Sequence, residues 1–365
     1  MDKELAARLN KVFANTKANR LLIANTGAQD PNFKYLTRFR SGLFEGDMLI
    51  ASKSSLTLFT SELEYETALA QKQEGMQVIK APREEAKRKA MMKKEIAGKV
   101  VGINANFMPT ATYLRIKKEY KPKKIIDASE AFSKARLEKS KEEIRNIEKA
   151  AKITLKALTK IPEYFKEGIT EKELARIFDN ISAELGSEKP SFDTIVSFGK
   201  NAALPHHMPD NTKLGNGDLI VIDAGAVVNG YCSDMTRTFV FGKDERLEKE
   251  REMINVVKEA QRLAINAMKE GRKGSDVDKA ARSYIDAYAN GKYKGTFIHS
   301  LGHSVGIEVH DGFALSPSSN VVLKRGMVFT AEPGIYVVGF GGVRIEDDVL
   351  ITEKGPMLLG RGELG

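Results

Sequence analysis

The 365-residue sequence predicts an α+β protein with a smaller mixed α/β domain over residues 1–132 and a larger domain over 133–365. Three observations support this fold class. The proportions of hydrophobic and charged residues, 42% and 29%, are those of a globular chain and exclude a largely disordered one. The length suits two domains or one large domain. Segments with strand-like and helix-like spacing alternate along the chain, and the pattern changes near residue 131.

The first domain opens with a segment whose apolar residues Leu5, Leu9 and Phe13 have the spacing of one buried helical stripe. A lysine-rich helical segment follows at 84–99, and Pro31 and Gly42 mark expected turns. Short apolar runs predict strands at 20–24, 47–51, 56–60, 99–103 and 124–126. These elements predict a mixed sheet with helices.

The second domain begins with a long amphipathic helix at 139–161. Thr170 and Glu173 have the spacing of a capping box that opens a second helix, ending near Gly186. A strand near 194–198 follows, and then a hairpin around Asn229-Gly230. The same order recurs with helices at 249–270 and 275–289 and β-rich sequence at 296–352, which indicates a duplicated helix–helix–sheet unit.

The net charge of +9 lies entirely in the first third, where residues 1–130 hold 24 basic and 15 acidic residues. The most basic run, 83–99, has helical spacing and is typical of a solvated face, so we expect no nucleic-acid partner. No apolar stretch approaches the roughly 18–20 residues of a membrane span, so we expect no transmembrane segment and no membrane partner. A single cysteine and the lack of a secretory leader pattern favour a cytoplasmic protein.

Two acidic residues are expected to meet in the hairpin. If Asn229-Gly230 form a two-residue turn, residue 223 faces 236 and residue 225 faces 234, so Asp223 and Asp234 share one sheet face a few ångströms apart. Two such carboxylates repel unless a cation lies between them or one is protonated. The small Gly225 opposite Asp234 is expected to leave space for an ion. Judged from the hairpin residues alone, a second interpretation is equally consistent with the sequence: Asp234 is exposed, and Asp223 forms a salt bridge with Arg237.

The rest of the chain favours the cation. Glu332 and Glu346 also follow or interrupt apolar strands, and His303 lies between glycines that permit close approach. Two aspartates, two glutamates and one histidine suit two divalent ions that share bridging carboxylates, whereas thiolates for a structural zinc site are absent. Two such metal ions lower the pKa of a water molecule that bridges them and produce hydroxide at neutral pH, which predicts a metallohydrolase.

In order and context, these five residues resemble the ligands of the pita-bread metallopeptidases, the family of methionine aminopeptidase, aminopeptidase P and prolidase. The resemblance covers nearly the whole chain, and the smaller first domain is similar to that of the creatinase/prolidase branch, most of all Xaa-Pro dipeptidases. It implies that Asp223 chelates one metal, that Asp234 and Glu346 bridge both, and that His303 and Glu332 bind the second. The implied cofactors are two divalent ions per subunit, manganese or cobalt first, with zinc or iron as alternatives.

The resemblance also implies roles for residues around the ions. His206 corresponds to the histidine that meets the substrate near the scissile amide, and His310 to the one that polarises the carbonyl and stabilises the oxyanion. Glu332 corresponds to the general base. Arg344, two residues before Glu346, corresponds to an arginine that hydrogen-bonds behind the ligands.

Other polar residues near these motifs are given structural roles. We interpret His207 as an ordinary loop residue and His299 as a strand or edge histidine. We interpret Cys232 as a small packing residue. Asp347 and Asp348 have the sequence context of exposed or helix-capping acids.

The implied activity is hydrolysis of the peptide bond before proline, most of all in Xaa-Pro dipeptides, by a homodimer. One departure weakens the dipeptide preference: residues 311–316 contain neither the proline nor the carboxylate-pairing arginine of many prolidases. An Xaa-Pro aminopeptidase acting on longer peptides is therefore the alternative. A non-catalytic binding module on the same fold is a further alternative, although this chain retains all the ligands, and a metal-free creatinase-like C–N hydrolase would leave the ligand set unexplained.

Overall fold

A computed structural model describes residues 2–26, 29–242 and 247–361. The chain divides into two compact units, Met1–Arg136 and Leu137–Gly365. Within the described ranges, no helix combines the length and apolarity needed to traverse a bilayer.

The first unit is built on a six-stranded mixed sheet of strand order β4-β3-β2-β1-β5-β6. Its strands are β1 (Arg20–Ala24), β2 (Met48–Ala51), β3 (Leu56–Thr60), β4 (Met76–Lys80), β5 (Val100–Ile103) and β6 (Lys124–Asp127). Its helices are α1 (Lys3–Ala14), α2 (Pro31–Thr37), α3 (Tyr65–Gln71), α4 (Glu85–Ile96), α5 (Thr110–Tyr120) and α6 (Ser129–Leu137). Strand β2 is antiparallel to both neighbours and the other pairs are parallel. The predicted mixed sheet is therefore confirmed.

The interpretation of Pro31 as a turn is wrong, because Pro31 begins α2. The fixed φ of proline suits the first helical turn, and the Asp30 side chain caps it by accepting from the amide of Asn32 at 2.9 Å. Helices α2 and α3 have only seven residues each, too few to show a helical period in the sequence.

The second unit contains two copies of one arrangement. Helices α7 (Lys141–Lys160) and α8 (Glu171–Glu184) precede the sheet β11-β8-β7, and helices α9 (Glu248–Ala267) and α10 (Gly274–Ala287) precede the sheet β14-β17-β18. The strands of the first repeat are β7 (Ile195–Phe198), β8 (Leu219–Ala224), β9 (Val227–Val228), β10 (Tyr231–Cys232) and β11 (Met235–Val240). Those of the second are β12 (Gly302–His303), β13 (Ala314–Leu315), β14 (Val328–Ala331), β15 (Gly334–Val337), β16 (Gly341–Arg344), β17 (Asp347–Thr352) and β18 (Gly355–Leu358). The duplicated helix–helix–sheet architecture is confirmed.

The capping box predicted from Thr170 and Glu173 is confirmed, and the first repeat contains a second one. Thr170 and Glu173 form a reciprocal capping box at α8, and Ser140 and Glu143 form another at α7. The two boxes fix where each helix begins, so α8 presents its first residue, Glu171, to the loop that follows β7.

The hairpin register predicted from Asn229-Gly230 is confirmed, since Asp223 faces Thr236. However, the β8–β11 ladder ends at Ala224 and pairing resumes only at β9 and β10. The expected space at Gly225 is not available to an ion. A Cβ there would lie 1.9 Å from the carbonyl oxygen of Ser233 and 2.0 Å from Oγ of Ser191, so protein atoms fill that volume.

Candidate active site

A cavity of about 350 Å³ opens within the second unit, a volume within the range of small-molecule sites. All eight site residues predicted from the sequence line it. They are Asp223, Asp234, His303, Glu332, Glu346, His206, His310 and Arg344. The remaining lining is mostly apolar and includes Phe192, Ile195, Pro205, Val309 and Ala314.

One group of possible metal ligands in the cavity combines residues of both repeats. One ligand atom from each of Asp234, His303 and Glu346 lies within 4.8 Å of the others. Nε2 of His303 is 3.4 Å from Oδ2 of Asp234 and 3.3 Å from Oε1 of Glu332. Asp223 borders the same cavity from the end of β8. The five sequence-predicted ligands therefore face one volume.

Three carboxylate oxygens in this group are buried without a hydrogen-bond partner among the described residues: Oδ1 of Asp223, Oδ1 of Asp234 and Oε1 of Glu346. Burial, with the negative charge of Asp223, raises the pKa of Asp234 well above its ordinary value, and burial with the charge of Asp234 does the same for Glu346. Buried carboxylates in this state require a cation or a proton. Oxygen donors with one imidazole fit divalent ions of hard or borderline character.

Arg344 orients Asp223, one of the five predicted ligands. Its guanidinium donates to Oδ2 of Asp223 at 2.6 Å, to Oγ1 of Thr236 at 3.0 Å and to the hydroxyl of Tyr336 at 2.9 Å. Thr236 in turn donates to Oε2 of Glu346 at 2.6 Å. The alternative interpretation of the hairpin is wrong on both points. Asp223 pairs with Arg344 and not with Arg237, and Asp234 is buried and not exposed. Thr236 was not identified from the sequence as a site residue, although the predicted register placed it opposite Asp223.

The chain of hydrogen bonds continues from Tyr336 to His299 with a fixed direction. Because Arg344 can only donate, the Tyr336 hydroxyl accepts from it and donates its own proton to Nε2 of His299 at 2.8 Å. Nδ1 of His299 then donates to the carbonyl of Ser300 at 2.8 Å. Burial, with the charge of Arg344, lowers the pKa of His299 to about 4, so the ring is neutral. His299 is a cavity residue and not the edge histidine expected from the sequence.

The interpretation of Asp347 and Asp348 as exposed or helix-capping acids is also wrong, because both are fully buried. Oδ1 of Asp347 accepts from Arg237 at 2.6 Å, since the β17 strand turns this side chain inward. Oδ2 of Asp348 accepts from the backbone amide of Asp234 at 3.1 Å. That bond fixes the backbone of Asp234, whose side chain lines the cavity.

The remaining predicted residues surround the ligand group. The His310 ring centroid is 4.2 Å from that of His303, and burial followed by the charge of His303 lowers the pKa of His310. Oγ1 of Thr330 donates to Oε1 of Glu332 at 3.1 Å and accepts from the amide of His303 at 3.0 Å. Burial raises the pKa of Glu332. Thr330 therefore ties the carboxylate of Glu332 to the backbone that carries His303.

Cys232 lies in β10 with 5% of its surface exposed, which confirms its interpretation as a packing residue. Burial, with the charge of Asp311, raises the pKa of its thiol to about 12. The thiol is therefore not a nucleophile at neutral pH.

Comparison with known proteins gives the same picture. Residues 145–353 match the model of metallopeptidase family M24, and residues 7–137 match the creatinase/prolidase N-terminal domain. The chain is 40% identical to the Xaa-Pro dipeptidase of Pyrococcus furiosus over 87% of this chain and 88% of that one.

Among solved structures, an Xaa-Pro dipeptidase from Bacillus anthracis matches with a TM-score of 0.88 and 30% identity over 99% of this chain and 98% of that one. An X-Pro aminopeptidase from Thermotoga maritima matches with a TM-score of 0.86 and 29% identity over 97% and 99%. With these matches and a cavity built for divalent ions, the chain belongs to metallopeptidase family M24, as a pita-bread enzyme with a creatinase/prolidase N-terminal domain.

Proposed function

We propose that this enzyme hydrolyses the peptide bond before proline, with Xaa-Pro dipeptides as its preferred substrates. The observation that carries the proposal is the single cavity that gathers five metal-ligating side chains, three of whose buried carboxylate oxygens have no partner among the described residues. The names of its relatives, Xaa-Pro dipeptidase and prolidase, support this substrate class.

We assign two divalent ions to this cavity, manganese or cobalt before zinc or iron. Asp223 would hold one ion, Asp234 and Glu346 would lie between the two, and His303 and Glu332 would hold the other. When bound, a pair of such ions lowers the pKa of a water molecule between them and so supplies a nucleophile at neutral pH. The donor chemistry supports this assignment, because oxygen-rich sites with one imidazole suit these metals.

The protein's own groups then manage protons and orientation. Glu332 has a raised pKa and a fixed Thr330 hydrogen bond, so it is suited to accept a proton from the attacking water. His310 has a lowered pKa, so at neutral pH it is an uncharged imidazole that can donate to the scissile carbonyl. His206 lines the cavity beside them and would meet the substrate near the scissile amide. Arg344 keeps Asp223 oriented throughout.

One observation favours the aminopeptidase alternative. Arg344 is the one lysine or arginine among the residues that line the cavity in the described part of the chain. It already donates to Asp223, Thr236 and Tyr336. A dipeptide carboxylate would therefore lack a free arginine inside this cavity. Longer peptides, whose carboxylate lies further out, need none.

The deciding experiment compares purified full-length enzyme on Xaa-Pro dipeptides and Xaa-Pro-Yaa tripeptides, each with manganese and with cobalt. A dipeptide rate well above the tripeptide rate is expected, and the reverse ratio would make the enzyme an Xaa-Pro aminopeptidase. Metal-dependent release from neither class would contradict the proposal.

Metal analysis of matched variants tests the ligand assignment separately. Asp234→Asn and Glu346→Gln are expected to lose bound metal and activity together. Glu184→Gln is the control, because Glu184 is an exposed acid at the end of α8 and should keep both. A Glu346→Gln protein with full metal content would refute the bridging role.

We further propose a cytoplasmic homodimer. A single buried cysteine, which cannot form an internal disulfide, is consistent with a reducing compartment. The dimer rests on the resemblance to prolidases. Light scattering coupled to size-exclusion chromatography is expected to give twice the 40.4 kDa chain mass, and the monomer mass would contradict it.

A further inference from the structure

The segment that carries His206 is held by a buried carboxylate outside the cavity lining. Glu171, the first residue of α8, has no exposed surface. Its Oε1 accepts from the amide of Phe198 at 2.8 Å and from Nδ2 of Asn201 at 3.0 Å. Its Oε2 accepts from Nε2 of His207 at 2.8 Å and from the amide of Asp210 at 3.0 Å. One carboxylate thus joins four donors spread from the end of β7 to residue 210.

His207 is the side chain that brings the centre of this loop to Glu171. An ionised carboxylate only accepts hydrogen bonds, so the Nε2 atom of His207 carries the proton. The amide of His207 also donates to the carbonyl of Leu204 at 3.0 Å, which closes a turn around His206. On the other side of His206, the carbonyl of Pro205 lies 3.5 Å from Nη1 of Arg344. His206 is therefore placed between two neighbours with fixed partners.

A cation at this point is a competing explanation, because Glu171, His207 and Asp210 each offer a ligand atom within 4.8 Å of the others. The hydrogen bonds argue against it. Both oxygens of Glu171 already accept two bonds each, two of the four donors being backbone amides with fixed positions. A metal ion would have to displace these backbone amides, which can move only if the whole loop moves. The four hydrogen bonds therefore account for the carboxylate of Glu171 without a metal ion.

We propose that His207 and Glu171 are positioning residues that set the place of the His206 imidazole in the active site. The proposal deepens the proposed function and rests on it, because it gives His207 a role only through a residue that meets the substrate. Charge-assisted hydrogen bonds to buried carboxylates are among the stronger and more directional ones in proteins. A displacement of about 1 Å in a catalytic arrangement can reduce the rate by roughly a hundredfold.

A double-mutant cycle tests whether His207 acts through His206. His207→Ala is expected to reduce kcat by about tenfold or more, with a smaller change in KM, because orientation matters most in the transition state. His207→Gln, whose amide can donate to Glu171 from a similar position, should recover most of the rate. In a His206→Ala background, His207→Ala should change kcat less than about twofold. An equal loss in both backgrounds would overturn the proposal.

Crystal structures supply a readout that does not depend on turnover. In His207→Ala the His206 side chain is expected to move by about 1 Å or more, whereas in His207→Gln it should stay in place. Met208→Ala is the matched control, since Met208 is exposed beside His207 and makes none of the four bonds to Glu171. An unmoved His206 in His207→Ala would overturn the positioning role. If the wild-type enzyme cleaves no Xaa-Pro peptide, the proposed function fails and this structural comparison still decides the positioning.

Discussion

The hydroxyl of Thr236 joins Arg344 to Glu346, so its removal should weaken metal binding without changing a predicted ligand. Thr236 is fully buried, accepts from Nε of Arg344 at 3.0 Å and donates to Oε2 of Glu346 at 2.6 Å. Thr236→Val keeps the shape of the side chain and removes both bonds. We expect a loss of both metal affinity and stability.

The magnitude follows from the two groups left behind. A buried hydrogen-bonding group that loses its partner costs about 1–3 kcal/mol, so the two groups left behind together cost about 2–6 kcal/mol in the metal-free protein. Loss of a residue that orients a metal ligand reduces affinity by roughly 10- to 100-fold. Thr236→Ser keeps the hydroxyl and loses one buried methyl group, worth about 1 kcal/mol.

The assay is a manganese titration by calorimetry, paired with urea unfolding of the metal-free proteins followed by circular dichroism. The expected order of both affinity and stability is wild type, then Thr236→Ser, then Thr236→Val. If Thr236→Val binds manganese as tightly as Thr236→Ser does, the hydroxyl does not orient Glu346 and the reasoning fails.

Three further predictions concern other parts of the chain. Gly225→Ala should lower the thermal midpoint markedly and lose about 3 kcal/mol or more, because its Cβ would lie 1.9 Å from the Ser233 carbonyl oxygen; an unchanged midpoint would contradict this. Burial raises the pKa of Asp47 to about 6, so between about pH 4 and 6 the unfolded chain binds fewer protons and stability falls as pH rises. In Asp47→Asn the side-chain amide can donate to Thr60 and does not titrate. Its free energy of unfolding, measured by thermal unfolding, should therefore rise relative to that of wild type by up to about 3 kcal/mol from pH 4 to pH 7.5. A difference that does not change with pH would refute the raised pKa. Cys232 should react with a thiol reagent at pH 8 only after denaturation, since burial raises its pKa to about 12; labelling of the native protein would contradict this.

The sequence predicted that Asp223 and Asp234 lie close together because their proximity depends on strand period and turn type, both local properties. The Asn229-Gly230 turn fixes which residues oppose each other, and this sufficed to place Asp223 opposite Thr236. It also predicted both helix pairs of the second unit, whose apolar stripes are long enough to show a helical period.

What the sequence could not supply depends on contacts between distant segments. The Asp348 carboxylate takes the place of a strand partner for Asp234, although 114 residues separate them. The path from Arg344 through Tyr336 to His299 is set by how β15 and β16 pack, and no local pattern indicates it. The prediction that Gly225 leaves space for an ion was wrong because the contact of Ser191 with Ser233, which fills that space, is likewise non-local.

The position of the five predicted ligands along the chain has a consequence for how the second unit holds together. Asp223 and Asp234 belong to the first repeat, whereas His303, Glu332 and Glu346 belong to the second. Neither repeat alone carries the full set, so ions in this cavity would cross-link the two halves much as a disulfide joins two segments. Because ligands that bind only the folded state stabilise it by mass action, bound metal should stabilise both halves together. It would add to the hydrogen bonds that already join the repeats, such as that from Arg344 to Asp223.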